Sequence, residues 1–147
     1  MTRRMLKFAD PDDVAAEVRR LRAGWTKTGN WSLPQICWHL NKAMTFSMRP
    51  GPHAAPPHDP QAAERLAYML KTGRPPEGIQ APDMALPPAQ VPDAAIDEFL
   101  ATLTALKNFK GEFAPHRLFG VVSHDDFYRL HLIHSAHHLG HLVPDGE

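Results

Sequence analysis

The stretch from Leu130 to Leu142, LHLIHSAHHLGHL, holds five of the chain's ten histidines. Imidazole is the commonest metal ligand and the one side chain whose ordinary pKa lies near neutrality. Such a run therefore points to a metal site, a pH-sensitive surface, or a helix face with no chemistry. Spacing separates these readings. At about 100° per residue, Phe127, His131, His134, His138 and His141 fall within roughly an 80° arc of one helix, while His137 points away from its centre. His134 and His138 form an H-x3-H pair, one turn apart on a shared face, so both rings can reach one cation. Two imidazoles hold an ion loosely, and the site needs a third ligand from another element. His39, on the flank of the apolar arc of an earlier helix, is the candidate.

Three neutral imidazoles leave at least one coordination position open, the arrangement of a catalytic rather than a purely structural site. An ion held in this way can act as a Lewis acid, activate water, or hold a thiolate. His131 and His141, one turn to either side of the pair, are candidates for supporting donors, a fourth ligand or substrate contacts. No H-E-x-x-H is present, and no Asp or Glu lies between or immediately beside His134 and His138, so no general base is evident. Cys37 stands two residues from His39, on roughly the opposite side of its helix, and reads as core. Trp31, Trp38, Phe127 and Tyr128 read as packing that can also wall a pocket. Gln35, Asn41 and Lys42 lie near His39 on a face that solvent can equally occupy. His137 reads as packing or solvent-facing, and His53, His58, His116 and His124 as solvated loop or cap residues.

The elements that must position these residues are helices. In DPDDVAAEVRRLRAGW, Asp10 can cap, Pro11 suits the first turn, and Val14, Val18, Leu21 and Trp25 share a face. In SLPQICWHLNKAMTFSM, Ser32 and Gln35 have the spacing of a capping box, and Leu33, Ile36, Cys37, Leu40 and Met44 form the apolar arc. Eleven of the fifteen prolines then fall between Pro50 and Pro92, which marks a long crossing. Within it, DPQAAERLAYMLKTG predicts a short satellite helix from Asp59 and Pro60 to Gly73. A third main helix follows in PDAAIDEFLATLTALKNF. A fourth starts at Ser123, with Asp126 in an S-x-x-D box, and runs toward Pro144. No stretch alternates with period two. The expected fold is all-α, a four-helix bundle in up-down-down-up order, its long Pro-rich crossover carrying a short helix between helices two and three. In that order helix two is antiparallel to helix four. His39 and His138 then lie about 10 and 8 Å from the same end of the bundle, which levels the three rings.

Composition bounds the remaining possibilities. A chain of 147 residues fits one domain, residues 1–147. Sixteen basic and sixteen acidic side chains balance, and no basic stripe with interleaved aromatics suggests nucleic acid. One cysteine excludes an internal disulfide and any multi-cysteine zinc site, and suits a reducing compartment. No apolar run suggests a secretion signal or a membrane span, so the expectation is a cytoplasmic protein with no membrane partner. Haem between facing helices is a poorer fit, because H-x3-H puts both ligands on one side of the ion.

Two segments, GNWSLPQICWHL and FGVVSHDDFYRLHLIHSAHHLGHLVP, together with the RRMLKF opening, resemble the DinB/YfiT-like superfamily, in particular a bacterial branch catalogued as a domain of unknown function. The diagnostic parts are the histidine that follows a tryptophan on the second helix, here Trp31 and His39, and the H-x3-H near the end of the fourth. Carried over by position, the family's metal triad falls on His39, His134 and His138. Many DinB-like proteins continue the last histidine as H-R-G-Q. This chain instead has His138, Leu139, Gly140 and His141, which keeps the ligands but not the arginine and glutamine. The resemblance implies a four-helix bundle, often a homodimer, that holds a divalent ion such as nickel or zinc in a cleft. It also implies an activity such as thiol S-transfer with a low-molecular-weight thiol, or hydrolysis, on a small-molecule substrate. The alternative is a non-catalytic metal-binding or stress-related module.

Overall fold

Asp10 starts the first helix by accepting the backbone N–H of Asp13 at 2.9 Å, with Pro11 in the first turn, where its missing N–H costs nothing. This helix, α1 (Pro11–Arg22), buries Val14, Val18 and Leu21 on one face. Ser32 starts the next, α2 (Leu33–Ser47), through a complete capping box with Gln35: each side chain accepts the other's backbone N–H, at 3.2 and 2.8 Å. The computed structural model describes residues 3–76 and 81–146. Among these are three further α-helices, α3 (Ala62–Thr72), α4 (Ala94–Asn108) and α5 (His124–Leu139), and a 3-10 turn at Asp83–Ala85. The described residues are mostly helical, with one small antiparallel sheet of β1 (Trp25–Lys27) and β2 (Leu142–Pro144).

The sheet departs from the sequence reading. Trp25 was expected on the face of the first helix, yet it belongs to β1 and pairs with Pro144, while Lys27 pairs with Leu142. The fourth main helix was expected to run toward Pro144, but it stops at Leu139. The cause is long-range. The N-terminal segment crosses the end of α5 so closely that a Cβ at residue 140 would collide with the Arg4 carbonyl, and only glycine fits. Arg4 then secures the crossing: its N–H donates to the Gly140 carbonyl at 2.7 Å, its Nε to the Leu142 carbonyl at 2.6 Å, and its guanidinium pairs with Glu17 at 2.8 Å.

Both α1 and α2 pack against α4 and α5, and α3 packs on α5. Phe99, Leu103 and Leu106 of α4 meet Leu21, Leu33, Ile36, Leu40 and Met44 in a core with almost no solvent contact. Each such side chain contributes about 1.5–3 kcal/mol by leaving water. Cross-links fix directions. Arg22 at the end of α1 pairs with Asp97 at the start of α4 (2.8 Å), and Lys107 at the end of α4 with Asp12 at the start of α1 (2.7 Å), so these two helices run antiparallel. Likewise Ser47 at the end of α2 meets His131 in the first half of α5, and His39, earlier in α2, meets His134, later in α5. Thus α2 and α5 are also antiparallel.

The satellite helix forms two residues later than expected. Asp59 turns the chain by accepting the Gln61 N–H at 2.9 Å, the helix proper begins at Ala62, and it ends at Gly73 with a left-handed φ of 69°. Residues 77–80 of the crossing lie outside the described residues. No described helix is long and apolar enough to cross a membrane.

Candidate metal centre

Three imidazoles, from α2 and from the last turns of α5, meet at one point. The Nε2 atoms of His39 and His134 lie 3.1 Å apart, as do those of His134 and His138. One ligand nitrogen from each of the three rings falls within 4.8 Å of the others. A last helix running on toward Pro144 would bring the three rings level from the same end of the bundle. With α5 ending at Leu139, His138 stands in its last turn, so the ends of α2 and α5 are not flush. The rings nevertheless converge, edge to face: their centroids lie 4.6 to 5.0 Å apart, with interplanar angles of 71° to 73°.

Proton bookkeeping shows what the cluster can hold. His39 Nδ1 lies 2.6 Å from the Ala85 carbonyl, an acceptor, so this nitrogen carries the proton and Nε2 presents a bare lone pair. His134 Nε2–H can donate to that lone pair, but the same nitrogen is then no acceptor for His138. One of the two 3.1 Å contacts is therefore left without a hydrogen bond while all three rings are neutral. Protonating a ring is opposed by its surroundings. Burial lowers the pKa of His39 against the raising effect of the Ala85 hydrogen bond, and burial followed by the neighbouring imidazoles holds His134 and His138 well below the usual range. Three converging nitrogens of neutral imidazoles suit a cation about 2.0–2.1 Å from each, which takes a lone pair from every ring. The Ala85 hydrogen bond is the outer contact that fixes a ligand histidine's tautomer and ring orientation.

Trp31 forms the wall of this centre. Its indole stacks on His138 at 5.3 Å and 20°, and leans on His39 at 5.0 Å. Beside it opens a cleft of about 260 Å³ lined by Gly29, Asn30, Trp31, Ile36, His137, His138 and His141. His141 thus reaches the cleft, as its place one turn from the pair suggested. His131 does not. It is buried toward the start of α5, where Nε2 meets Ser47 Oγ at 2.8 Å, and burial pushes its pKa down to about 3. Nor do the polar neighbours of His39 line the cleft. Gln35 closes the capping box and donates to the Pro88 carbonyl, Asn41 accepts from Thr102, and the Lys42 ammonium lies over the Trp38 ring. Cys37 is fully buried, with its thiol pushed up to about 12, so it remains a protonated core residue.

Two participants were missed in the sequence. His137, expected to pack or face water, lines the cleft, and its ring meets those of His138 and His141 at 5.0 and 5.6 Å. The signal was present, since His137 and His141 are themselves an i, i+4 pair. The Ala85 carbonyl left no signal, because a backbone acceptor has no residue type. His116 was read as a solvated loop residue, but it is mostly buried against Phe119, with its pKa lowered to about 4 by desolvation.

A mostly helical chain with a three-histidine cluster able to hold a metal ion is thereby defined. It belongs to the family described as "Protein of unknown function (DUF1569)", whose model matches residues 1–145. No curated protein and no solved structure matches it.

Proposed function

We propose that the chain is a divalent-metal-binding protein with His39, His134 and His138 as ligands, and that it acts as a metal-dependent transferase or hydrolase on a small molecule. The observation that carries this reading is the set of three converging Nε2 atoms, one of them left with a bare lone pair because Nδ1–H of His39 donates to the Ala85 carbonyl. A bound ion would supply Lewis acidity at a position left open by three protein ligands; nickel or zinc suits the all-imidazole donor set. The chain's own residues do the rest. Ala85 holds the His39 tautomer, Trp31 braces His138 and His39, and the cleft beside them offers room for substrate next to the ligands.

The antiparallel pairings of α1 with α4 and of α2 with α5 support a single domain over residues 1–147 built as an up-down-down-up four-helix bundle. The DinB/YfiT-like resemblance extends the proposal to a homodimer acting on a low-molecular-weight thiol, and the one buried, reduced cysteine suits the cytoplasm. One observation favours the second reading, a non-catalytic metal-binding or stress-related module: among the described residues, no carboxylate lines the cleft to serve as a base.

Elemental analysis of tag-free protein, desalted after incubation with nickel, zinc or manganese, tests the proposal. It expects about one ion per chain, lost on replacement of His39, His134 or His138 by alanine. A chain that stays metal-free under all three conditions removes it. Turnover of thiol acceptors or simple esters by fully loaded protein separates enzyme from module.

A further inference from the structure

The carboxamide of Gln35 is used at both of its ends, and only one end belongs to the helix cap. Its Oε1 accepts the Ser32 N–H at 2.8 Å and completes the capping box, a task that a glutamate oxygen performs equally well. Its Nε2 donates to the Pro88 carbonyl at 3.0 Å, a contact with no part in the cap. His39 stands one turn further along α2 and reaches the same segment, its Nδ1–H donating to the Ala85 carbonyl at 2.6 Å. Two side chains of one helix thus grip two carbonyls three residues apart.

Burial does little to hold that segment. No residue from 81 to 94 is buried, and Met84 and Leu86, on either side of Ala85, are 67% and 47% exposed. Apolar contact, which fixes the helices, therefore contributes little here. What the segment has instead is stiffness. Its 3-10 turn closes through the Ala85 N–H to the Pro82 carbonyl at 2.8 Å and the Leu86 N–H to the Asp83 carbonyl at 3.2 Å. Leu86 is extended, with φ −76° and ψ 125°, the conformation favoured before a proline, and the rings of Pro87 and Pro88 restrict their own φ. In so stiff a stretch, an anchor at Pro88 decides where the Ala85 carbonyl sits.

We propose that Gln35 is a positioning residue of the metal centre: by holding the Pro88 carbonyl it keeps segment 82–88 against α2 as a strap, and the strap keeps the His39 proton on Nδ1, leaving Nε2 for an ion. The inference rests on the metal reading for what His39 binds, and it extends the site to a side chain that is no ligand. The coupling runs both ways. An ion on Nε2 draws electron density from the ring and makes Nδ1–H a stronger donor, so a loaded site grips the strap harder. By linkage, the factor that the closed strap adds to metal affinity is the factor that the ion adds to strap closure.

The test variant is Gln35→Glu, which keeps the oxygen that caps α2 and loses the donor that holds Pro88. Its counterpart, Ser32→Ala, removes half of the cap and leaves that donor in place. Nitrogen-15 NMR of the metal-free full chain reads the His39 tautomer, and competition with a chelator reads zinc affinity. Wild type and Ser32→Ala are expected to hold the proton on Nδ1. In Gln35→Glu the Nε2–H form, which free imidazole side chains prefer, should appear, and zinc should bind about ten-fold more weakly. Amide exchange at Leu86 of the wild type, a measurement that needs no variant, should slow by about the same ten-fold on zinc loading. An unchanged tautomer or zinc affinity in Gln35→Glu, equal losses in Ser32→Ala, or exchange at Leu86 that bound zinc leaves unchanged overturns the proposal. Wild-type protein that takes up no zinc sinks the metal reading alone, and the tautomer of the metal-free chain still decides the role of Gln35.

Discussion

His131 and His134 stand three residues apart on one helix, and the difference between them lies entirely in what faces them. His131 donates Nε2–H to Ser47 Oγ at 2.8 Å, and the Ser47 hydroxyl donates in turn to the Met44 carbonyl at 2.7 Å. Phe127 and Phe113 surround the ring, at 5.0 and 5.7 Å. Every polar atom in that chain of contacts from ring to carbonyl has a use, and the arrangement leaves nothing for a ligand to do. His134, partly buried one turn further on, points its Nε2 at two other ring nitrogens, 3.1 Å from each. The same residue type on the same helix face is a core cross-link in one place and part of a cluster able to hold a cation in the other. Spacing along the helix does not distinguish them; the complementarity of donors and acceptors does.

The sharpest way to break this comparison is to remove one ring at a time. His134→Ala is expected to weaken metal uptake by on the order of a hundred-fold or more, whereas His131→Ala should leave uptake unchanged and destabilise the fold by about 2–4 kcal/mol through the cavity it creates. Metal content and urea unfolding of the two variants read out both effects. If His131→Ala empties the site while the protein stays folded, the division between the two histidines is wrong.

Acid should expose the second difference. The folded-state pKa of His131 is depressed from 6.5 to about 3, so the unfolded chain takes up its proton first as the pH drops. The stability from this residue is therefore complete above pH 6.5 and is lost progressively as the pH falls toward 3, a loss on the order of 4 kcal/mol. His116, lowered to about 4 beside the same aromatic cluster, adds to the slope. Unfolding of the metal-free chain across this range should show a steep acid limb that His131→Phe makes shallower; an identical limb in the variant would mean that the buried ring is not what acid attacks.

The smallest effect concerns Ser135, which is fully buried next to His134, with a hydroxyl that has no hydrogen-bond partner among the described residues. An unsatisfied buried hydroxyl is a cost, so Ser135→Ala should be neutral or stabilise the fold by up to about 1 kcal/mol. A thermal melt that drops by several degrees would show instead that the hydroxyl has a partner it needs.

What could be read from the chain by itself was local or periodic. Asp10, Ser32 and Ser123 cap their helices because a short polar side chain can reach an N–H two or three residues on, a relation that sequence spacing encodes. The choice of His39, His134 and His138 follows the same logic, since i, i+4 spacing puts two rings on one helix face and the apolar arc of α2 puts the third on the side toward its neighbours. Other features depended on contacts between distant segments. Leu142–Pro144 pairs with Trp25–Lys27 as a strand too short to show alternation, and α5 stops where the Arg4 carbonyl passes, not where the apolar pattern fades. The Pro-rich segment read as a mere connection delivers the Ala85 carbonyl that sets the His39 tautomer. Residue types and their period fix which side chains can share a face. Which nitrogen carries the proton, and whether a buried ring meets a hydroxyl or another lone pair, is settled only when remote backbone and side chains are brought into contact.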